Sequence, residues 1–316
     1  MQNILNKNKG GQLEQKDGNE EKVEVDPRYE GLDERLVQII ESEIMDKKQD
    51  ITWDDIAGLE RAKKIIHEVI VMPMLRPDLF KGIRQPPRGV LFFGPPGTGK
   101  TLLGKAIAAQ SKSTFMSISA SSLTSKWVGE GEKLVRTMFA IAAIHSPTVI
   151  FIDEIDSLLC KRSDQDQEGS RRLKTEFLVQ LDGANTFGGE EARILIIGAT
   201  NRPDDLDEAA RRRLQKRLYI PLPNFSARMS FMKRVMDKEG ESEGNRISLS
   251  EQDLSELVVL TKGYSGADLK MLCQEAAMIP IRELSLNLMN IKADEVRALE
   301  LRDFKEAMEN VKATVQ

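Results

Sequence analysis

Apolar residues in the middle of this chain come in short runs separated by helix-like stretches. Five runs read as strands: Gly89–Phe93, Thr114–Ser119, Val149–Asp153, Ile194–Ala199 and Leu218–Pro221. Between them, segments such as Glu132–Ala143 and Ser170–Leu181 space their apolar side chains three and four apart, as one helix face requires. This alternation predicts an α/β fold, a parallel sheet with helices on both faces. Ligands of such sheets bind outside the carboxyl ends of the strands. After Pro223 the rhythm changes. Ser226–Asp237, Asp253–Thr261, Ala267–Ala277 and Asp303–Val311 carry helical spacing without strong strands between them, which predicts a second, smaller, all-helical domain. Upstream, Leu32, Leu36, Ile39, Ile40 and Ile44 predict an amphipathic helix from Leu32 to about Lys47. Its apolar face suits either packing on the main domain or contact with a neighbouring subunit. Residues 1–30 are rich in Asn, Lys, Glu, Gln and Gly and read as a disordered polar tail.

The first predicted strand runs into Gly94-Pro95-Pro96-Gly97-Thr98-Gly99-Lys100-Thr101, and a helical stretch, Leu102 to Ala109, follows. Strand, glycine loop and helix are the context of the phosphate-cradling G-x-x-x-x-G-K-[ST] loop. Glycines let backbone N–H groups turn inward around a polyphosphate, and the helix N-terminus adds partial positive charge. Lys100 supplies a point charge for the outer phosphates and Thr101 a hydroxyl for Mg²⁺. The chain therefore reads as a binder of nucleoside triphosphate.

Thr148-Val149-Ile150-Phe151-Ile152-Asp153-Glu154 is a second buried strand, and it ends in two carboxylates. A helix N-cap followed by a first-turn acid is the plain account. With a P-loop upstream, Asp153 instead orients Mg²⁺ and Glu154 polarises an attacking water. A third strand ends in Thr200 and Asn201, where a neutral amide suits a γ-phosphate or the water, although Asn also favours turns. Arg211, Arg212 and Arg213 close a helix that opens with acids, which suits the macrodipole. Three adjacent arginines nevertheless point around the helix, and an arginine supplied in trans to a γ-phosphate fits one of them. Arg171, Arg172 and Lys174 sit in the first turns of another helix, where positive charge is unfavourable. Asp164, Asp166 and Glu168 would offset them, or an acidic polymer would. Trp127 lies in a Lys-, Ser- and Gly-flanked loop without apolar periodicity, which suits gripping an extended peptide better than filling a core. His67 and His145 lie outside these motifs and read as structural.

Composition removes several alternatives. A net charge of −4 argues against a generally basic nucleic-acid binder. Cys160 and Cys273 are far apart and lack C-x-x-C spacing, so they read as free thiols in a reducing compartment. No apolar run is long enough to span a bilayer and no signal pattern begins the chain, so no membrane contact is expected and the nucleus or cytoplasm is.

P-loop, Asp-Glu, Gly-Ala-Thr-Asn, paired arginines and helical domain follow one another in this order. In that order the chain resembles the AAA family of ATPases from about Ile51 onward. Trp53-Asp54-Asp55-Ile56-Ala57-Gly58-Leu59 is similar to the family's entry segment beside the adenine. Three long blocks, Ser117–Lys133, Ser170–Leu178 and Asp207–Leu214, resemble the meiotic clade of fidgetin, spastin and katanin, with fidgetin-like members as the nearest pattern. Behind the polar tail at 1–30 and a linker helix at 31–50, the resemblance implies a nucleotide-binding α/β domain at 51–223 and a helical lid at 224–316. It implies an ATPase using ATP and Mg²⁺, with Thr101 and Asp153 at the metal. Ala57, Gly97, Thr98, Gly99, Lys100, Thr101, Leu102, Gly266 and Ala267 would contact nucleotide. Asp153 and Glu154 would form the Walker B pair and Asn201 the sensor, while Arg212 and Arg213 would be fingers reaching a neighbour's ATP. Lys126, Trp127 and Val128 would form a pore loop, with Arg171 and Arg172 beside a second one. The implied assembly is a homo-hexamer. Relatives continue beyond Val311-Lys312-Ala313-Thr314 with a further helix, so assembly of this chain, which stops at Gln316, is expected to be weak. The implied work is pulling on a protein client with an acidic or disordered tail, either tubulin, giving microtubule severing, or a recombinase filament. An endosomal-scaffold disassembly ATPase shares most of these motifs. A nucleic-acid motor and a catalytically dead scaffold are the readings from other classes. The acidic balance speaks against direct nucleic-acid binding, and the intact Lys100, Asp153, Glu154 and Arg212 speak against the scaffold.

Overall fold

The structure, a computed structural model, describes residues 27–46, 51–125, 130–160, 168–183, 192–240, 247–284 and 296–314. Its centre is a sheet in the order β1-β3-β4-β5-β2-β6. The strands are β1 (Met45–Asp46), β2 (Gly89–Phe93), β3 (Thr114–Ser119), β4 (Thr148–Asp153), β5 (Ile194–Thr200) and β6 (Lys216–Tyr219). Nearly every residue of β2, β4 and β5 is buried, which a strand achieves only when both faces of its sheet are covered. Along β4 the side chains alternate between two cores. Val149 and Phe151 join Phe92, Leu103 and Ile107 on one face; Ile150 and Ile152 join Met138, Phe139 and Phe177 on the other.

Helices α1 (Glu34–Ile39), α2 (Glu60–Ile66), α3 (Met72–Leu75), α4 (Lys100–Gln110), α5 (Ala120–Ser125), α6 (Gly131–Ile144), α7 (Asp156–Leu159), α8 (Glu168–Gly183) and α9 (Glu208–Arg213) surround this sheet. The P-loop helix α4 lies on β4 because Gly104 leaves room for an aromatic ring. A Cβ there would fall 2.6 Å from the Phe151 ring. The strands β2 to β6 are mutually parallel, as their near-continuous apolar runs predict.

The edge strand β1 corrects the expectation at 31–50. Helix α1 passes into a π-turn at Ile40–Ile44, and Met45 and Asp46 then pair antiparallel with Met116 and Phe115 of β3. Helical spacing carried the reading too far because Ile44 fits both a helix face and the start of a buried strand. The segment packs on the α/β domain, with Tyr29, Leu36, Ile40 and Ile44 in its core and the Tyr29 hydroxyl 2.6 Å from His145 Nε2.

The remaining described helices, α10 (Phe225–Gly240), α11 (Glu251–Leu260), α12 (Gly266–Glu283) and α13 (Leu301–Asn310), form a lid with its own core of Met232, Leu257, Leu269, Leu272 and Phe304. Ser250, Ser265 and Glu300 each open a helix with a capping box. At the α13 box, Asp303 is buried and takes two hydrogen bonds from Arg297, at 2.7 and 2.8 Å. Burial alone would raise the Asp303 carboxyl, but these bonds and the Glu300 N–H outweigh it and hold it below the usual carboxylate range. Because the folded value is depressed, this contribution is complete above the unfolded pKa and fades as pH falls through the folded one. Arg297→Met strands a buried carboxylate and is expected to cost ~3 kcal/mol at neutral pH. Denaturant melts at pH 7 and pH 3 check this, since the difference from wild type should shrink in acid.

Candidate nucleotide site

β2 ends at Phe93, where the chain turns sharply under the end of β6. A Cβ at Gly94 (φ 147°) would sit 2.2 Å from the Ile220 carbonyl oxygen. Gly97 and Gly99 also take left-handed φ, at 71° and 88°. Gly99 precedes α4 and offers no side chain to cap it, so the first-turn N–H groups face the loop unsatisfied. Lys100 begins that helix and is almost wholly buried. Its ammonium donates to the carbonyls of Gly94 (2.9 Å) and Pro95 (2.8 Å) and to Asn201 Oδ1 (2.7 Å). Among the described residues no carboxylate forms an ion pair with it. Burial therefore lowers the ammonium from its ordinary value, while the Asp153 carboxylate acts to raise it. A buried cation held only by neutral oxygens at a helix N-terminus fits a polyphosphate.

At the carboxyl end of β4, Thr101 Oγ1 lies 3.2 Å from Asp153 Oδ2. One hydroxyl and one carboxylate suit Mg²⁺, which keeps several waters and leans on phosphate oxygens. No group of three His, Cys, Asp or Glu side chains among the described residues would hold a metal without such help. Glu154 follows with φ 50°, an unfavourable conformation for a non-glycine residue. Its carboxylate is exposed to the cleft and accepts the Ser119 hydroxyl at 3.3 Å.

These groups line one cleft of about 1200 Å³ between the sheet and the lid. Ala57, Gly97, Thr98, Gly99, Lys100, Thr101, Leu102, Asp153, Glu154, Asn201, Gly266 and Ala267 all face it. Its far wall is less polar. Ile56, Ala57 and Leu59 line it, and Gly58 lies so close to the start of α10 that a Cβ there would fall 2.6 Å from Ala227 Cβ. Ser119 and the pair Asp156–Thr200 went unread in the sequence. The Thr200 hydroxyl, fully buried, donates to Asp156 Oδ1 at 2.6 Å and accepts the Arg202 N–H at 2.9 Å, which fixes the turn carrying Asn201. A serine ending β3 and an aspartate two places beyond Glu154 carry no motif; only the neighbouring strand ends bring them in.

Other predicted site residues lie elsewhere. Arg211, Arg212 and Arg213 do not line this chain's own cleft. Arg211 bonds the carbonyls of Pro203 and Asp204, and Arg213 grips Asp182 through two bonds of 2.8 and 2.6 Å. Arg212 pairs with Glu208 and is 76% exposed, the freest of the three. Arg171 and Arg172 are exposed on α8, with Arg172 paired to Glu168. Lys174, which the sequence grouped with them, instead meets Asp207 at 2.6 Å and the Cys160 carbonyl at 2.5 Å. Lys126, Trp127 and Val128 lie outside the described residues, as do Asp164 and Asp166.

Residues 90–222 match the ATPase family associated with various cellular activities (AAA), and residues 251–296 match the AAA+ lid domain. The crystal structure of the FIGL-1 AAA domain in complex with ADP superposes with a TM-score of 0.81 at 54% identity, over 90% of this chain and 92% of that one. This chain belongs to the AAA ATPase family. Within it, fidgetin-like protein 1 of Caenorhabditis briggsae is 53% identical over 306 residues, 97% of this chain and 50% of that protein. A structure reported for the basis of katanin self-assembly has a TM-score of 0.74 at 37% identity, over 89% of this chain and 92% of that one. The chain spans about half the length of the curated relatives it matches. Among the described residues no helix is long and apolar enough to cross a membrane.

For this AAA cleft, Lys100→Ala removes the buried charge and leaves two carbonyls and an amide oxygen without their donor. ADP affinity is expected to fall at least about 100-fold, since bonds to a charged group contribute ~1.5–3 kcal/mol each. Calorimetric titration of both proteins measures it.

Proposed function

We propose that this AAA domain hydrolyses ATP to exert force on a polypeptide client, in the manner of fidgetin-like proteins. The observation that carries the reading is the placement of Glu154. Its carboxylate, held in a strained backbone and steadied by Ser119, opens into the same cleft as Lys100 and Asn201. Mg²⁺, when bound, would supply positive charge against the charge developing on the phosphates. Thr101 and Asp153 are the residues that would hold it. Lys100 carries the outer phosphate charge, and Asn201 hydrogen-bonds the γ-phosphate or the attacking water without adding charge. Glu154 orients that water and accepts its proton.

Completion of the site falls to a neighbouring copy. Arg212 and Arg213 stand away from their own cleft, which is where fingers acting in trans belong. Of the two, Arg212 acts first in this reading, because Arg213 must leave Asp182 to reach outward. The assembly is a nucleotide-dependent homo-hexamer. Its pore is lined by Lys126, Trp127 and Val128, with Arg171 and Arg172 beside a second loop whose positive charge suits an acidic tail. The client is tubulin or a recombinase filament, in the nucleus or cytoplasm. Disassembly of an endosomal scaffold is the second reading, supported by the shared motifs.

Glu154→Gln is expected to keep ATP bound while turnover drops about 100-fold or more, because the amide has the shape of the acid but takes no proton. Arg212→Ala should be similarly slow. Mixed with Glu154→Gln it should recover hydrolysis, since some interfaces then join an intact Glu154 to an intact Arg212. No recovery in a steady-state ATPase assay would place the whole site within one chain.

Trp127→Ala is expected to leave ADP affinity unchanged and to abolish client remodelling. Melting temperature separates a pore residue from a core one, because truncating a buried tryptophan costs ~3–5 kcal/mol.

A further inference from the structure

The lid touches the P-loop through the first turn of α12. The Ala267 N–H donates to the Gly97 carbonyl at 3.1 Å. A Cβ on Gly97 would lie 2.5 Å from Ser265 Oγ, and one on Gly266 would lie 3.3 Å from the Gly97 carbonyl oxygen. The bare backbone of Gly97 therefore lies directly against the Ser265 and Ala267 side chains and the backbone of Gly266.

Behind this contact, the segment after α13 is fastened to the same turn. The Tyr264 hydroxyl donates to the Val311 carbonyl at 2.6 Å. Asp268, 2% exposed, takes the Thr314 hydroxyl on Oδ1 and the Thr314 N–H on Oδ2 at 3.3 Å. The same Oδ2 accepts the Ser265 N–H at 2.8 Å. One buried carboxylate thus joins the turn that meets the P-loop to the segment that follows α13. Burial would raise that carboxyl, but the hydrogen bonds from Thr314 and Ser265 keep it lowered and ionised.

We infer that Asp268 and Thr314 are positioning residues that hold the first turn of α12 against the P-loop. Through them, the segment Val311–Thr314 sets how tightly the cleft closes on the nucleoside end of a bound nucleotide. Neither side chain needs to reach the ligand. Affinity follows the fraction of molecules whose lid is docked, so loosening the strap lowers it in proportion. The phosphate end depends on Lys100 and the N-terminus of α4, which the strap does not touch. The inference rests on the reading of the cleft as a nucleotide site.

The test uses the full chain, titrated with ADP and separately with inorganic tripolyphosphate, which engages only the phosphate end. Thr314→Val keeps the shape and the backbone N–H but loses the hydroxyl donor. ADP should bind about 5-fold more weakly, a modest undocking for one lost charge-assisted bond, with tripolyphosphate changed less than about 2-fold. Thr314→Ser should restore ADP affinity. Tyr264→Phe, which removes only the bond to Val311, should act in the same direction and serves if the valine variant folds poorly. ADP affinity unchanged in both variants, or ADP and tripolyphosphate weakened equally, overturns the strap. If the wild-type chain binds neither probe, the cleft reading falls and the strap with it; if it binds both and the variants are silent, only the strap falls.

Discussion

The close approach of bare backbone at the P-loop is the constraint on which the rest of this structure depends. The loop is squeezed from two sides, by the Ile220 carbonyl beneath Gly94 and by Ser265 and Ala267 above Gly97. Each contact is short enough that an alanine Cβ would collide. The sheet, the loop and the lid are therefore fitted to one another at the spot where phosphate is expected. Lys100 is buried among carbonyl oxygens of the loop itself, at Gly94 and Pro95, contacts in which the lid takes no part.

Placement of the groups that line the cleft follows from the sheet. Parallel strands bring all their carboxyl ends to one edge, so residues far apart in sequence meet there. Asp153 and Ser119 stand in register on neighbouring strands, and Asn201 reaches Lys100 across 101 positions of chain. Chemistry at one edge and apolar packing through the rest lets the core be rigid without constraining what binds.

Strand and helix positions were legible because the buried strands are short, apolar and cleanly bounded, and because the lid helices carry helical spacing of their apolar residues without strong strands between them; the Ser and Glu capping boxes that open three of them went unread. The cleft was legible wherever a motif concentrates its residues in one short run, as at 94–101 and 153–154. Reading failed where the deciding contact is distant in sequence. Nothing local says that Ile44 ends a helix and Met45 begins a strand, since pairing with Met116 decides it. Nothing local assigns Lys174 to Asp207 or Arg213 to Asp182. Arginines read as one cluster turn out to have three different surroundings, because adjacent helical positions point about 100° apart.

Chain entry and exit lie at opposite borders of the sheet. The segment from Tyr29 to Asp46 joins at the β1 border, where Asp46 meets Lys105 of the P-loop helix at 2.7 Å. The lid departs from the β6 border. Tension applied ahead of Tyr29 thus runs along the first border into the flank of α4, and lid motion acts on the other. The six strands between them serve as a beam, and the contact of the P-loop with the lid gives load a second route across the fold.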